Sequence, residues 1–492
     1  MFGNQIAGTI SFEGDRKFSS FDPTNNRPNN IVFHVATGKE IQLALKQADK
    51  AFYQFCNSTP KDRSILLNLI AEQFNEGKPE ILRAYCKESG LSIARFKVEF
   101  KRTLDQLHMF ADYLLQSYSE LISETYSEQE KSLPHLMKKR MALGPVLVFG
   151  ASNFPLAYST LGGDTVSALV AGCPVVVKAH PFHPETSFIV GKAIISAMKK
   201  TTFHPGIFSQ LFDDQFEVAQ ELILDNRIKA VGFTGSYLGG KSLFELANSR
   251  PQPIPVFAEM GSSNPVFVFP ESLEEKCEEW TTLFSKSITN DAGQFCTKPG
   301  LFFVPHTENG KLFVHKLTEK LIKEPSFTML HPSIHASFEA KKKELFGLSN
   351  GELIEKSGKL EKLQGRQGLF ITNTPELLQN KALEKEVFGP FAVIIYYESM
   401  LELNACTQEL LGQLTATILA SEDEVNAHEP FIFLLKQRAG RLIFNGVPTG
   451  VRVCQSMHHG GPFPASSDSR FTAVGTDSIL RFMRPIVYQN NC

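Results

Sequence analysis

Apolar residues recur at three- and four-residue spacing from Glu40 to Phe55 and from Asp62 to Asn75. That is the period of amphipathic helices, and it predicts a helical region over 40–125. From residue 143 the texture changes. Short apolar runs take over at Val146–Phe149, Pro174–Val177, Ile228–Phe233 and Pro255–Phe257. Helical segments fall between them, at Gly163–Ala171, His183–Lys199 and Gln215–Leu224. Strands alternating with helices every about 20–35 residues predict βαβ units and a parallel sheet. A second series of runs, Pro265–Phe269, Leu301–Val304 and Ala392–Ile395, predicts a second α/β domain. Residues 306–365 are lysine-rich with little motif content, and read as a solvated surface of helices and loops.

Bulk properties narrow the class. The 492 residues exceed one simple core and suggest about two to four domains. Fifty basic against 52 acidic residues leave a formal charge of −2, so no global field favours nucleic acid or an anionic membrane. The longest weakly polar run, Val166–Val177, is interrupted by Ser167, Gly172 and Pro174 and is too short to span a bilayer. Met1–Lys17 lacks the basic and apolar regions of a signal peptide. The eight cysteines include no Cys-x-x-Cys, and there is no His-Glu-x-x-His. No metal site and no disulfide framework are expected, and a reducing cytoplasm fits best.

Candidate chemistry lies at the ends of the apolar runs. Cys296 sits in Gly293-Gln294-Phe295-Cys296-Thr297-Lys298-Pro299-Gly300, a composition that suits a loop presenting a side chain. Glu259 closes the run Val256–Ala258, where α/β sites usually form. Partial burial there would raise its pKa toward the range of a general base; the plainer reading is a surface Glu. Asn153 follows Val146–Phe149 directly and can aim its amide at developing negative charge, or satisfy its own turn. Lys178 ends Pro174–Val177, within reach of ribose or phosphate, or is a surface lysine. Glu386-Val387-Phe388-Gly389-Pro390 pairs a carboxylate with an aromatic that could face a flat ring, or places a core Phe beside a turn. Gly235–Ser242 matches G-x-x-x-x-G-K-[ST], and glycines before a helix suit a phosphate. A P-loop NTPase also needs a strand ending in Asp for magnesium. The next runs end in Glu259 and Glu271 instead.

Taken together and in this order, Asn153, Lys178, Gly235-Ser236, Glu259, Cys296 and Glu386-Phe388 resemble the aldehyde dehydrogenase superfamily, from about residue 20 to the C-terminus. Gly150–Ala157, Gly162–Thr165, Ala171–Pro181 and His459–Ser466 look like the α-ketoglutarate semialdehyde (2,5-dioxovalerate) dehydrogenases. NADP-linked fatty aldehyde dehydrogenases are the nearest rival.

The resemblance implies an α/β fold with three parts. These are a Rossmann-like NAD(P) domain (1–122 and 142–258), a catalytic domain (259–467), and a small β oligomerisation element (123–141 and 468–492) that makes a homodimer or homotetramer. It implies Cys296 as nucleophile, Asn153 as oxyanion donor and Glu259 as the base that activates water. Phe149, Lys178, Pro181, Gly235, Ser236, Glu386 and Phe388 would hold the cofactor. Phe154, Phe295, His459 and Arg452 would meet the substrate, Arg452 or Lys298 by pairing with a remote carboxylate. Pro181 stands where NAD-preferring relatives often carry Glu, so acceptance of NADP, even a preference for it over NAD, is expected, with Asp213 and Asp214 as opposing charges.

Overall fold

The structure, a computed structural model, describes residues 2–116, 118, 121–123, 135–348 and 350–490. The helical region is four helices, Gly38–Cys56, Pro60–Glu76, Lys78–Ser89 and Ile93–Gln116. Thr37 and Thr59 start the first two with reciprocal capping boxes to Glu40 and Asp62. Gly90, at φ 67°, ends the third in the left-handed conformation that glycine adopts freely.

A seven-stranded sheet follows the first apolar series. Its order is Val256–Glu259, Ala230–Thr234, Val146–Phe149, Val175–Lys178, Phe208–Leu211, Asn4–Ile6, Thr9–Ser11. The first five strands are parallel and the last two antiparallel. Every residue of Val146–Phe149 and Val175–Lys178 is buried, as expected of strands covered by helices on both faces. Register places Lys178 beside Phe149, Phe149 beside Phe233, and Thr234 beside Glu259. The strand ends singled out in the sequence therefore form one row along the carboxyl edge.

The second sheet also has seven strands, ordered Glu352–Glu355, Gly368–Asn373, Phe391–Tyr397, Leu301–Pro305, Val266–Val268, Gln413–Leu419, Ala439–Phe444. All neighbours are parallel except the first pair. Here the loops that precede strands matter. Asn264 comes just before Val266–Val268, Cys296 before Leu301–Pro305, and Glu386 before Phe391–Tyr397. A smaller antiparallel sheet joins Met483–Gln489, Leu136–Ala142 and Leu121–Ser123. The oligomerisation element expected at 123–141 and 468–492 falls partly on 124–134 and 491–492, outside the described residues.

Two expectations need correction. The first 34 residues gave no predicted strand, yet they supply four: Asn4–Ile6, Thr9–Ser11, Lys17–Asp22 and Arg27–His34. Segment 306–365 is not merely a solvated surface. It buries Met329, Leu330, Phe338 and Leu345, and Phe338 packs so closely on Gly389 that a Cβ there would lie 2.3 Å from the ring. No helix among the described residues is long and apolar enough to cross a membrane.

Candidate active site

Cys296 is delivered by a strained turn. Asp291, Ala292 and Gly293 all take positive φ, at 45°, 57° and 65°. Two of them carry a Cβ, and such conformations persist only where the surroundings enforce them. Arg95 Nε donates to Asp291 Oδ2 at 2.7 Å, and Leu330 N–H donates to Gln294 Oε1 at 3.0 Å. Asn264 holds the far side: its Nδ2 lies within hydrogen-bond distance of the carbonyls of Ser262 (3.1 Å), Cys296 (2.8 Å) and Lys298 (2.9 Å). Thr415 Oγ1 donates to Asn264 Oδ1 at 2.9 Å and fixes the amide's orientation.

Around the half-buried thiol, three predicted residues converge. His459 Nε2 lies 3.7 Å from Cys296 Sγ and 2.8 Å from Glu259 Oε1. Asn153 Nδ2 donates to the Gln294 carbonyl at 2.9 Å, two residues before the thiol. An amide nitrogen has two hydrogens, so one remains for a second acceptor. Burial pushes the Cys296 thiol well above its usual pKa, and the charges of Glu259 and Glu386 add to this, while Arg102 opposes it. A void of about 20 Å³ borders Glu259 and His459, room for a single water.

The thiol opens into a cavity of about 960 Å³. Phe154, Phe295, Tyr158 and Val451 line it together with Arg95, Arg102 and Arg452. Arg95 is committed: it pairs with Glu99 at 3.2 Å and Asp291 at 2.7 Å, and its guanidinium lies 4.3 Å from the Phe154 ring centre. Arg102 donates to Tyr158 OH at 2.7 Å and lies over that ring at 5.0 Å. No carboxylate among the described residues pairs with it, and its buried Nε has no hydrogen-bond partner. Arg452 is exposed on the cavity wall. Lys298 is not a substrate-facing cation: it is buried, and its Nζ donates to the Phe391 carbonyl at 2.6 Å. Burial lowers its pKa to about 8.

Five of the cofactor candidates, Phe149, Lys178, Pro181, Gly235 and Ser236, lie along the carboxyl edge of the first sheet, and Glu386 and Phe388 precede a strand of the second. Phe149 ends its strand buried, edge-on to Phe233. Lys178 is buried, and its Nζ donates to the Asp213 carbonyl at 2.7 Å, leaving two ammonium hydrogens. Burial lowers its pKa to about 8 against the pull of Asp213 and Asp214. Those two aspartates are themselves met by Arg16, in contact with Asp213 and 3.4 Å from Asp214. Pro181 sits in the half-buried turn after Lys178. Gly235 precedes Ser236, whose hydroxyl caps helix Tyr237–Asn248 by accepting Gly239 N–H at 3.2 Å. Glu386 abuts Gly261 so tightly that a Cβ there would fall 2.1 Å from its Oε2. Burial raises the Glu386 carboxyl to about 7, with Lys341 and Lys298 opposing. Lys341 also donates to the Glu386 carbonyl at 2.7 Å. Phe388 is half-buried beside it.

The P-loop match fails on geometry. The helix begins at Tyr237, so Gly239–Ser242 are helical rather than wrapped around a phosphate. Lys241 pairs with Glu245 at 3.7 Å, and Ser242 Oγ donates to the Leu238 carbonyl. Arg16, Arg95, Arg102, Tyr158 and Asn264 were missed in the sequence. Asn264 had a usable signal, an Asn directly before Pro265 in a serine-rich loop.

The thiol of Cys296, the carboxylate of Glu259 and the imidazole of His459 thus stand together, with the Asn153 amide held to the loop that carries the thiol. The chain belongs to the aldehyde dehydrogenase family, whose pattern matches residues 10–467, and it is an oxidoreductase acting on aldehydes with NAD(P). It is 40% identical over 478 residues to the alpha-ketoglutaric semialdehyde dehydrogenase of Acinetobacter baylyi, covering 96% of this chain and 90% of that protein. It is 39% identical to alpha-ketoglutaric semialdehyde dehydrogenase 2 of Azospirillum brasilense, covering 99% and 94%. Among solved structures, 1-pyrroline-5-carboxylate dehydrogenase from Thermus with bound NAD superposes with a TM-score of 0.83 at 18% identity, covering 99% of this chain and 92% of that one. Methylmalonate-semialdehyde dehydrogenase from Oceanimonas doudoroffii gives 0.84 at 17%, covering 99% and 98%. At those identities the structural likeness shows the fold.

Proposed function

We propose that this enzyme oxidises α-ketoglutarate semialdehyde (2,5-dioxopentanoate) to 2-oxoglutarate. The observation that carries this reading is that Cys296, with His459 and Glu259 beside it, lines a cavity that also holds Arg102, which has no carboxylate partner among the described residues. Likeness to two enzymes named for that substrate supports it. An aliphatic aldehyde would use the aromatic wall but leave Arg102 without a counter-charge.

The Cys296 thiol releases its proton to the solvent of the cavity, His459 Nε2–H donates to the Glu259 carboxylate, and Cys296 Sγ bonds to the aldehyde carbon. The carbonyl electron pair moves to oxygen, where the second Asn153 hydrogen and the Cys296 N–H stabilise it; one such donor is worth about 3–4 kcal/mol. A nicotinamide held by Lys178, Glu386 and Phe388 would supply the two-electron acceptor that this oxidation to a Cys296 thioester needs. Glu259 then takes a proton from water, the hydroxyl adds to the acyl carbon, the C–S bond breaks, and 2-oxoglutarate leaves. Arg102 holds the remote carboxylate throughout, while Phe154 and Phe295 wall the chain.

The donor set at the sheet edge fits a phosphorylated dinucleotide. Lys178 has two free hydrogens, helix Tyr237–Asn248 offers its N-terminus, and Glu386, from the second sheet, abuts Gly261 just past the strand Val256–Glu259. Arg16 and Lys178 set two positive charges against Asp213 and Asp214, and a 2′-phosphate would add its own pairing to the Lys178 ammonium. NADP is therefore accepted beside NAD, and Phe149, Pro181, Gly235 and Ser236 form the rest of that surface. We assign the domains as 1–122 with 142–258, 259–467, and 123–141 with 468–492. The last forms a homodimer or homotetramer interface in a cytoplasmic enzyme. The test is NAD(P)H formation by the wild-type enzyme across α-ketoglutarate semialdehyde, glutarate semialdehyde, pentanal and hexanal. The reading requires the oxo-acid semialdehyde to give the highest kcat/KM; a preference for hexanal overturns it.

A further inference from the structure

The ligand atoms of Glu259, Cys296 and His459 all lie within 4.8 Å of one another. Among the described residues no other trio of His, Cys, Asp or Glu side chains comes together in this way. The sequence, with no metal spacing, gave no reason to expect it, because the three come from positions 259, 296 and 459. Thiolate, imidazole and carboxylate are a borderline-soft set that suits Zn²⁺ rather than Mg²⁺ or Ca²⁺. Zinc bonds of about 2.3 Å to sulfur and 2.0–2.2 Å to nitrogen and oxygen put tetrahedral donors roughly 3.3–3.6 Å apart. The observed separations, 3.7 Å for Sγ to Nε2 and 2.8 Å for Nε2 to Oε1, bracket that range. His459 and Glu259 are buried, at 1% and 3% side-chain exposure, so their donor atoms are held by packing. Cys296 lines the large cavity, which gives an ion its entry path and leaves a fourth position open.

We propose that the Glu259–Cys296–His459 trio is an inhibitory zinc site, taking one Zn²⁺ through three protein ligands and a water. Binding forms an Sγ–Zn bond and releases the Cys296 thiol proton to solvent; no electron is transferred. The ion occupies the thiol and Glu259 together, so neither nucleophile nor base remains. The inhibition rests on the reading of Cys296 as nucleophile, whereas the binding does not.

The experiment uses the full chain, purified with EDTA, exchanged into metal-free buffer, and titrated with Zn²⁺, then separately with Co²⁺. Bound zinc is counted by elemental analysis after gel filtration. Thiolate-to-cobalt charge transfer is read by absorbance, and turnover is followed in parallel. The expected result is one zinc per chain, a thiolate–cobalt band, and loss of activity that EDTA reverses. Cys296→Ala should abolish the band, and both His459→Phe and His459→Gln should lose stoichiometric zinc while Cys296 still alkylates with iodoacetamide. Absence of the band, or equal zinc retention in wild type and Cys296→Ala, overturns the site. Stoichiometric zinc at Cys296 with full turnover leaves the site standing and overturns the nucleophile.

Discussion

Replacing Arg102 by Gln removes a cation that, among the described residues, has no acid of its own. In the wild type one N–H serves Tyr158 OH, and the buried Nε is unserved. The remaining donors are available to a substrate carboxylate. A hydrogen bond to a charged partner contributes about 1.5–3 kcal/mol, and each 1.4 kcal/mol is about tenfold, so the full effect spans roughly 10- to 150-fold. Arg102 is only half-buried, and solvent screening moves the expectation to the lower end, about tenfold. The contact with the Tyr158 ring is lost for every substrate, so it cancels in a ratio. The assay is kcat/KM for α-ketoglutarate semialdehyde divided by kcat/KM for pentanal, in wild type and Arg102→Gln. The ratio should fall about tenfold, mainly through KM for the acid. The exposed Arg452, changed to Ala, should lower it less. Equal losses for acid and neutral substrate in Arg102→Gln would refute the reasoning.

Three further outcomes follow from other parts of the site. Glu259→Gln should give a burst of NADPH close to one per active site and then near-silence in stopped-flow absorbance, since hydrolysis loses its base; steady turnover without a burst contradicts the role. Lys178, with its pKa lowered to about 8 by burial, carries its charge below that pH and loses it above. KM for NADP should therefore climb between about pH 7.5 and 9 more steeply than KM for NAD, and parallel profiles would exclude Lys178 from the 2′-phosphate. Asn264→Ala strips the buried carbonyls of Ser262, Cys296 and Lys298 of a donor. At about 1 kcal/mol or more for each unserved group, denaturant unfolding should show a loss of about 2–4 kcal/mol together with lower kcat, and an unchanged midpoint would contradict the tethering role.

What could be read in the sequence was what is local. Val146–Phe149 and Gly163–Ala171 appear in the structure with the predicted bounds, because an apolar run and its turn residues lie side by side in the chain. Lys178, Glu259 and Asn153 were legible for the same reason: the first two end a parallel strand and the third lies in the turn after one, and register across a parallel sheet brings such ends together. Asn4–Ile6 was missed because three residues, two of them polar, make no periodic pattern; tertiary pairing with Phe208–Leu211 makes it a strand. Arg102 was hidden on the polar side of a long amphipathic helix, where a cavity-lining arginine and a solvated one look alike. Arg16 acts on Asp213 across 197 positions, and Lys341 reaches Glu386 from a segment whose lysines suggested only surface. Those contacts depend on how separate elements pack, which no short window of sequence contains.

The most direct test of the central claim is to trap the acyl-enzyme. Glu259→Gln is mixed with α-ketoglutarate semialdehyde and NADP, quenched in acid within the burst, and digested for peptide mass spectrometry. A 2-oxoglutaryl thioester on the peptide carrying Cys296, absent without NADP and absent in the Glu259→Gln, Cys296→Ala double variant, is the predicted result. An acyl group on another cysteine, or NADPH formation with no adduct on Cys296, would contradict the account.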